Sequence, residues 1–95
     1  MIKSYDKELL KEDLDSGEKV YLFFRMAGCG PCKRIEPAIE RVANDFDDIF
    51  YIIEHDEAPE LQKKMNIGGY PCLSIVQGEK VIYNAFGEKK IMELL

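Results

Sequence analysis

The stretch MAGCGPCKR, Met26 to Arg34, holds two cysteines, Cys29 and Cys32, with Gly30 and Pro31 between them. A pair at this spacing can bind a metal, close a structural bridge, or pass electrons by opening and closing a disulfide. The residues on either side place the pair in the fold. Upstream, Val20 to Arg25 is a short run of β-branched and aromatic residues, which predicts a buried strand. Downstream, Ile35, Ala38, Ile39, Val42 and Phe46 recur at helical spacing and predict an amphipathic helix about three turns long. Pro37 falls inside that pattern; because the periodicity continues past it, a kink is expected and not an end. The cysteines therefore stand where a strand hands over to a helix.

Working outward, Tyr5, Leu9 and Leu14 predict an earlier helix, capped by Ser4 or Asp6 and stopped at Gly17. Met1 to Ser4 is open between an edge strand and a plain terminus. A second buried strand is expected over Ile49–Glu54. A short helix follows through Ala58, Leu61 and Met65, with Pro59 in its first turn. Cys72–Gln77 and Lys80–Phe86 are strand-like and meet at Gly78-Glu79, a hairpin signal. Ile91, Leu94 and Leu95 give the segment Gly87–Leu95 one apolar side, hence a closing helix. The order (β)αβαβαββα implies an α/β protein: a parallel sheet segment covered on both faces, with antiparallel edge strands added by the hairpin.

The 95 residues carry no repeat or linker, so one domain spanning 1–95 is expected, and 46% apolar residues supply its core. The net charge of −5 argues against nucleic acid as a partner. The basic pairs Lys33-Arg34, Lys63-Lys64 and Lys89-Lys90 are diluted by acids and suit solvated surface. Three cysteines do not make an even-numbered secreted framework. The opening Met1–Lys7 lacks the apolar centre of a signal peptide, and the runs Val20–Phe24 and Ile49–Ile53 are too short to span a bilayer. A reducing, cytoplasmic setting without membrane attachment is the expectation. There, such a pair more often serves catalysis or metal binding than structure.

At a helix start, unpaired N–H groups and the helix dipole favour thiolate over thiol. A cysteine so placed can have its pKa lowered from about 8.5 to between about 3.5 and 7.5. Cys29, at the open end, is the expected nucleophile. Cys32, one turn inside, is expected to be buried and to attack a mixed disulfide on Cys29. Gly30 would let the chain turn closely, and Pro31 suits a first helical turn.

Cys29-Gly30-Pro31-Cys32-Lys33 resembles the active site of the thioredoxin family, and the resemblance extends over nearly the whole chain. Pro37 lies at the matching distance. Ile67-Gly68-Gly69-Tyr70-Pro71 resembles the family's segment ending in a cis-proline, and Ala85-Phe86-Gly87 its final-strand segment. The resemblance implies a thioredoxin fold, a central mixed sheet of four or five strands flanked by helices on both faces. It implies a protein-disulfide reductase with no bound cofactor, acting on disulfide-containing proteins and working as a monomer. Cys29 would attack and Cys32 resolve, with re-reduction by a thioredoxin reductase or another thiol donor. The substrate groove would comprise Gly28, Gly69, Tyr70, Pro71, Phe86 and Gly87, with Pro71 cis and the Tyr70 backbone pairing with substrate.

The chain departs from the family pattern in several places. Gly28 and Arg25 stand where the family has tryptophans. Arg25 either brings positive charge near Cys29 or simply reaches solvent. The family's buried aspartate, thought to take the inner cysteine's proton, maps to Phe23, and its lysine partner to Ile52. That puts Cys32 in a drier, neutral pocket. His55, the only histidine, is either a proton relay or a surface residue in Glu54-His55-Asp56-Glu57. Cys72 replaces a common threonine and should lie near the pair, as a small buried residue, a third redox sulfur, or a metal ligand. Three rivals follow. One is a glutaredoxin-like reductase, against which the Gly-Pro spacer counts. The second is a zinc or iron–sulfur site on Cys29, Cys32 and Cys72, with a fourth ligand still needed from His55 or a second subunit. The third is a non-catalytic interaction module.

Overall fold

Side chains on a strand alternate between faces, so a strand apolar at consecutive positions must be covered on both sides. The computed structural model describes residues 2–95 and shows how this is met. In chain order the elements are β1 (Ile2–Ser4), α1 (Lys7–Asp15), β2 (Lys19–Arg25), α2 (Gly30–Asp45), β3 (Ile49–Glu54), α3 (Pro59–Lys64), β4 (Cys72–Gln77), β5 (Lys80–Phe86) and α4 (Glu88–Leu94). The strands form one sheet in the order β1-β3-β2-β4-β5. β1, β3 and β2 are parallel, whereas β4 runs antiparallel to β2 and β5 antiparallel to β4. The question left open at the N-terminus is answered by an edge strand from Ile2; Met1 lies outside the described residues.

One expectation needs correction. The hairpin does not supply two edge strands: β4 lies inside the sheet, between β2 and β5. Its residues Cys72, Leu73, Ser74 and Val76 are buried, facing both layers, whereas Val81, Ile82 and Tyr83 of β5 are exposed. Only the second half of the hairpin tolerates an edge.

Two apolar layers sandwich the sheet. Leu10 of α1 packs with Val20, Leu22, Phe24, Tyr51, Ile53, Met65, Cys72 and Val76 on one face. Ile35, Ile39 and Ala43 of α2 and Ile91 of α4 pack with Phe23, Phe50, Leu73 and Ala85 on the other. Asp6 caps α1 by accepting from the Leu9 N–H at 3.0 Å. Helix α2 runs continuously past Pro37, whose ring is on the exposed side. The alternation has a consequence at the end of β2. With Val20, Leu22 and Phe24 turned toward α1 and Phe23 toward α2, Arg25 falls on the α2 side. In β3, where Ile53 faces the α1 layer, Glu54 falls there too.

Candidate active site

Cys29 is the N-cap residue of α2, with extended backbone angles, and Cys32 lies within the first turn beside Pro31. The Cys32 N–H donates to Cys29 Sγ at 3.2 Å, and the Lys33 N–H donates to the Cys29 carbonyl at 3.2 Å. A sulfur that accepts an otherwise unpaired helix N–H is stabilised as an anion when reduced. The two cysteines form a disulfide with their Cα atoms 5.3 Å apart. Cys29 is half-buried, whereas Cys32 is only 1% exposed. An outer and an inner sulfur are thus distinguished by position alone.

The glycine that the loop conformation requires is Gly28. Its φ is +78°, a region that residues with a Cβ rarely adopt. Gly30 has no such constraint; a Cβ there would meet only the end of the Arg34 side chain at 3.3 Å. A tryptophan at position 28 would be strained in this backbone, so the loop is built differently and is not merely missing a ring.

Phe24 pairs with Cys72, so Arg25–Gly28 and Tyr70–Pro71 leave the sheet at the same end. The Tyr70–Pro71 peptide bond is cis. The buried Pro71 carbonyl accepts from the Gly87 N–H at 2.9 Å, tying this segment to the end of β5. Gly87 has φ +86° and ψ 159°, a combination essentially confined to glycine. Phe86 is 42% exposed beside it, and Gly69 and Tyr70 are half-buried. The expected groove segments therefore converge on one end of the sheet. The Tyr70 side chain, however, turns into the α3 layer, where its hydroxyl donates to Gln62 Oε1. Gln62, 6% exposed, in turn donates to the carbonyls of Glu54, His55 and Glu57.

Arg25 is partly exposed, and its charge is paired with carboxylates rather than left unbalanced beside Cys29. Its Nε donates to Glu54 Oε1 at 2.6 Å, and its Nη1 pairs with Glu36 Oε1. These groups line a cleft of about 300 Å³ that also touches Gly28, Cys32 and Lys33. The pocket of Cys32 is consequently not neutral throughout. Phe23 and Ile52 make the sheet under α2 apolar, but the other side of Cys32 meets charge. His55 is exposed, its ring edge-on to Tyr70 with centroids 6.2 Å apart, and it is not among the residues lining this cleft.

Cys72 is fully buried in the layer under α1, the face opposite α2, with its sulfur 3.6 Å from Ser74 Oγ. Burial pushes its thiol up to about 11, with the Ser74 contact acting weakly the other way. The small buried residue is the reading its surroundings support. Among the described residues no three His, Cys, Asp or Glu side chains are grouped to hold a metal ion. Sequence reasoning missed Glu36 and Gln62. Glu36 was findable, since it lies four residues after Cys32 and so on the same helix face; Gln62 carries no local signal.

An N-capping cysteine bonded to a buried partner one turn inside, at the end of a mixed sheet layered by helices, defines a thiol–disulfide oxidoreductase. The thioredoxin family model matches residues 2–95, and the chain belongs to that family. It is 34% identical over 77 residues to thioredoxin H2 of Arabidopsis thaliana, covering 80% of this chain and 58% of that protein. To the thioredoxin of Chlorobaculum thiosulfatiphilum it is 33% identical over 84 residues, covering 86% and 78%. A chain in the crystal structure of a ferredoxin:thioredoxin reductase and thioredoxin f2 complex shares the fold. Its TM-score is 0.83 at 23% identity, over 98% of this chain and 88% of that one. Among the described residues no helix is long and apolar enough to cross a membrane.

Proposed function

We propose that the protein, acting as a single-domain monomer in the cytoplasm, reduces disulfides of other proteins. Cys29 thiolate attacks one sulfur of the substrate disulfide, forming a mixed disulfide and releasing the other sulfur as a thiolate. Cys32 then attacks Cys29, the substrate leaves as a thiol, and the Cys29–Cys32 disulfide remains. The observation that carries this reading is the asymmetry of the pair: Cys29 accessible with an N–H on its sulfur, Cys32 buried behind it. The backbone of Gly69–Pro71, with Gly28, Phe86 and Gly87, receives an extended substrate segment by strand-like hydrogen bonds. No cofactor is needed in this cycle. Electrons return from a protein reductase or another thiol donor. The fold shared with a chain from a reductase–thioredoxin complex supports the former.

Insulin reduction with dithiothreitol, joined to alkylation of the reduced protein, tests the proposal. Turnover is expected, with iodoacetamide labelling Cys29 several pH units below the range of a free thiol while Cys32 stays slow. Absence of turnover, or equal labelling of the two across pH 5 to 9, would sink it.

A further inference from the structure

Resolution requires that Cys32, buried and protonated when the site is reduced, lose its proton as it attacks. The residue expected at this task by resemblance is absent, because Phe23 is packed between Ile35, Phe50 and Leu73. His55 does not face the cleft that Cys32 lines. We infer that Glu36 is the base that draws the proton from Cys32 through solvent in this cleft, with Arg25 and Glu54 holding it in place. This inference rests on the reading of Cys32 as the resolving thiol.

Geometry supports it from two directions. On α2, Glu36 follows Cys32 by four residues, which stacks the two side chains on one face. On the sheet, period-two alternation aims Arg25 and Glu54, register partners at the ends of β2 and β3, at that same face. The charged groups lining this cleft with Glu36 are Arg25 from β2, Glu54 from β3 and Lys33 from α2. Lys33 is exposed and well screened. One guanidinium is thus shared between two carboxylates, so neither has a whole counter-charge to itself. The step balances. As the Cys32 thiol gives its proton to the Glu36 carboxylate, Cys32 sulfur attacks Cys29 sulfur. The Cys29–Cys32 bond forms and the Cys29–substrate bond breaks. The substrate thiolate leaves and takes up a proton from the cleft. Glu36 ends as it began.

The experiment follows the second step alone. Reduced protein is mixed with a thionitrobenzoate disulfide, and release of the second thionitrobenzoate equivalent is timed by stopped flow from pH 5.5 to 9. Glu36→Gln is expected to slow that release by about tenfold or more near neutrality, with the deficit closing as rising pH ionises Cys32 unaided. Glu36→Asp should restore part of the rate, and His55→Ala should leave it unchanged. The first step, attack by Cys29, should keep its wild-type rate in all three variants, which excludes a general loss of fold. A Glu36→Gln deficit that is the same at every pH, or no deficit, overturns the inference, as does a deficit in His55→Ala in its place. Cys32→Ser separates the underlying reading. If that variant still releases the second equivalent, Cys32 is not the resolving thiol, whatever Glu36 does.

Discussion

Replacing Cys72 by alanine tests whether its thiol is as sealed as its packing indicates. The sulfur has no exposed surface, and burial lifts its pKa from 9.0 to about 11. Unfolding returns it to water and to its ordinary value. Between those two pH values the folded chain keeps the proton and the unfolded chain gives it up, so the unfolded state binds fewer protons. Stability therefore falls as pH rises through this window; it is fully present below pH 9 and lost by the time the folded value is passed. A two-unit shift corresponds to about 2.7 kcal/mol in total, of which about 1.4 kcal/mol is lost by pH 10. For a chain of this length, whose stability falls in the range of about 5–14 kcal/mol, that is readily measured. The assay is urea unfolding at pH 7 and pH 10 of Cys29→Ser/Cys32→Ser protein with and without Cys72→Ala, which removes disulfide exchange from the comparison. Tyr5, Tyr21 and Tyr51 are also raised, chiefly by burial, and destabilise both proteins in alkali alike. The difference between the two isolates Cys72. At pH 7 the alanine protein should be the weaker, since a buried atom is deleted; by pH 10 the gap should shift in its favour by about 1.4 kcal/mol. A gap that does not move with pH would refute the placement of Cys72 in the sealed layer and reopen its candidacy as a third redox sulfur.

Two further outcomes are expected. Gly28→Ala should cost about 1–2 kcal/mol for the left-handed backbone at φ +78°, lowering the melting temperature by about 4–8 °C for each kcal/mol; an unchanged melting temperature means the loop does not need this conformation. Gln62→Ala strips the Tyr70 hydroxyl and three carbonyls of a partner and should cost more than about 2 kcal/mol, while Tyr70→Phe costs about 1 kcal/mol; strictly additive effects in the double mutant would show that the two side chains do not hold one another.

Local pattern carried most of the architecture. Val20–Arg25, Ile49–Glu54, Cys72–Gln77 and Lys80–Phe86 are strands, in the first case from one residue earlier, because runs of β-branched and aromatic residues bury well only in a covered sheet. The helix carrying the cysteines was legible because its apolar period continues past Pro37. The redox pair was legible too, since a thiol's reactivity follows from its place at a helix start. Tertiary structure decided what depends on partners distant in sequence. Which hairpin strand lies inside the sheet rests on how both faces of β4 are covered, which a run of apolar residues does not reveal. The fate of Arg25 depended on Glu54, 29 residues away, and on Glu36 reaching the same cleft from α2. Cys72 is adjacent to Pro71 in sequence yet belongs to the layer opposite α2, because successive side chains on a strand point to opposite faces. Sequence determines which residue types stand at which period; only the packed sheet determines which of them meet.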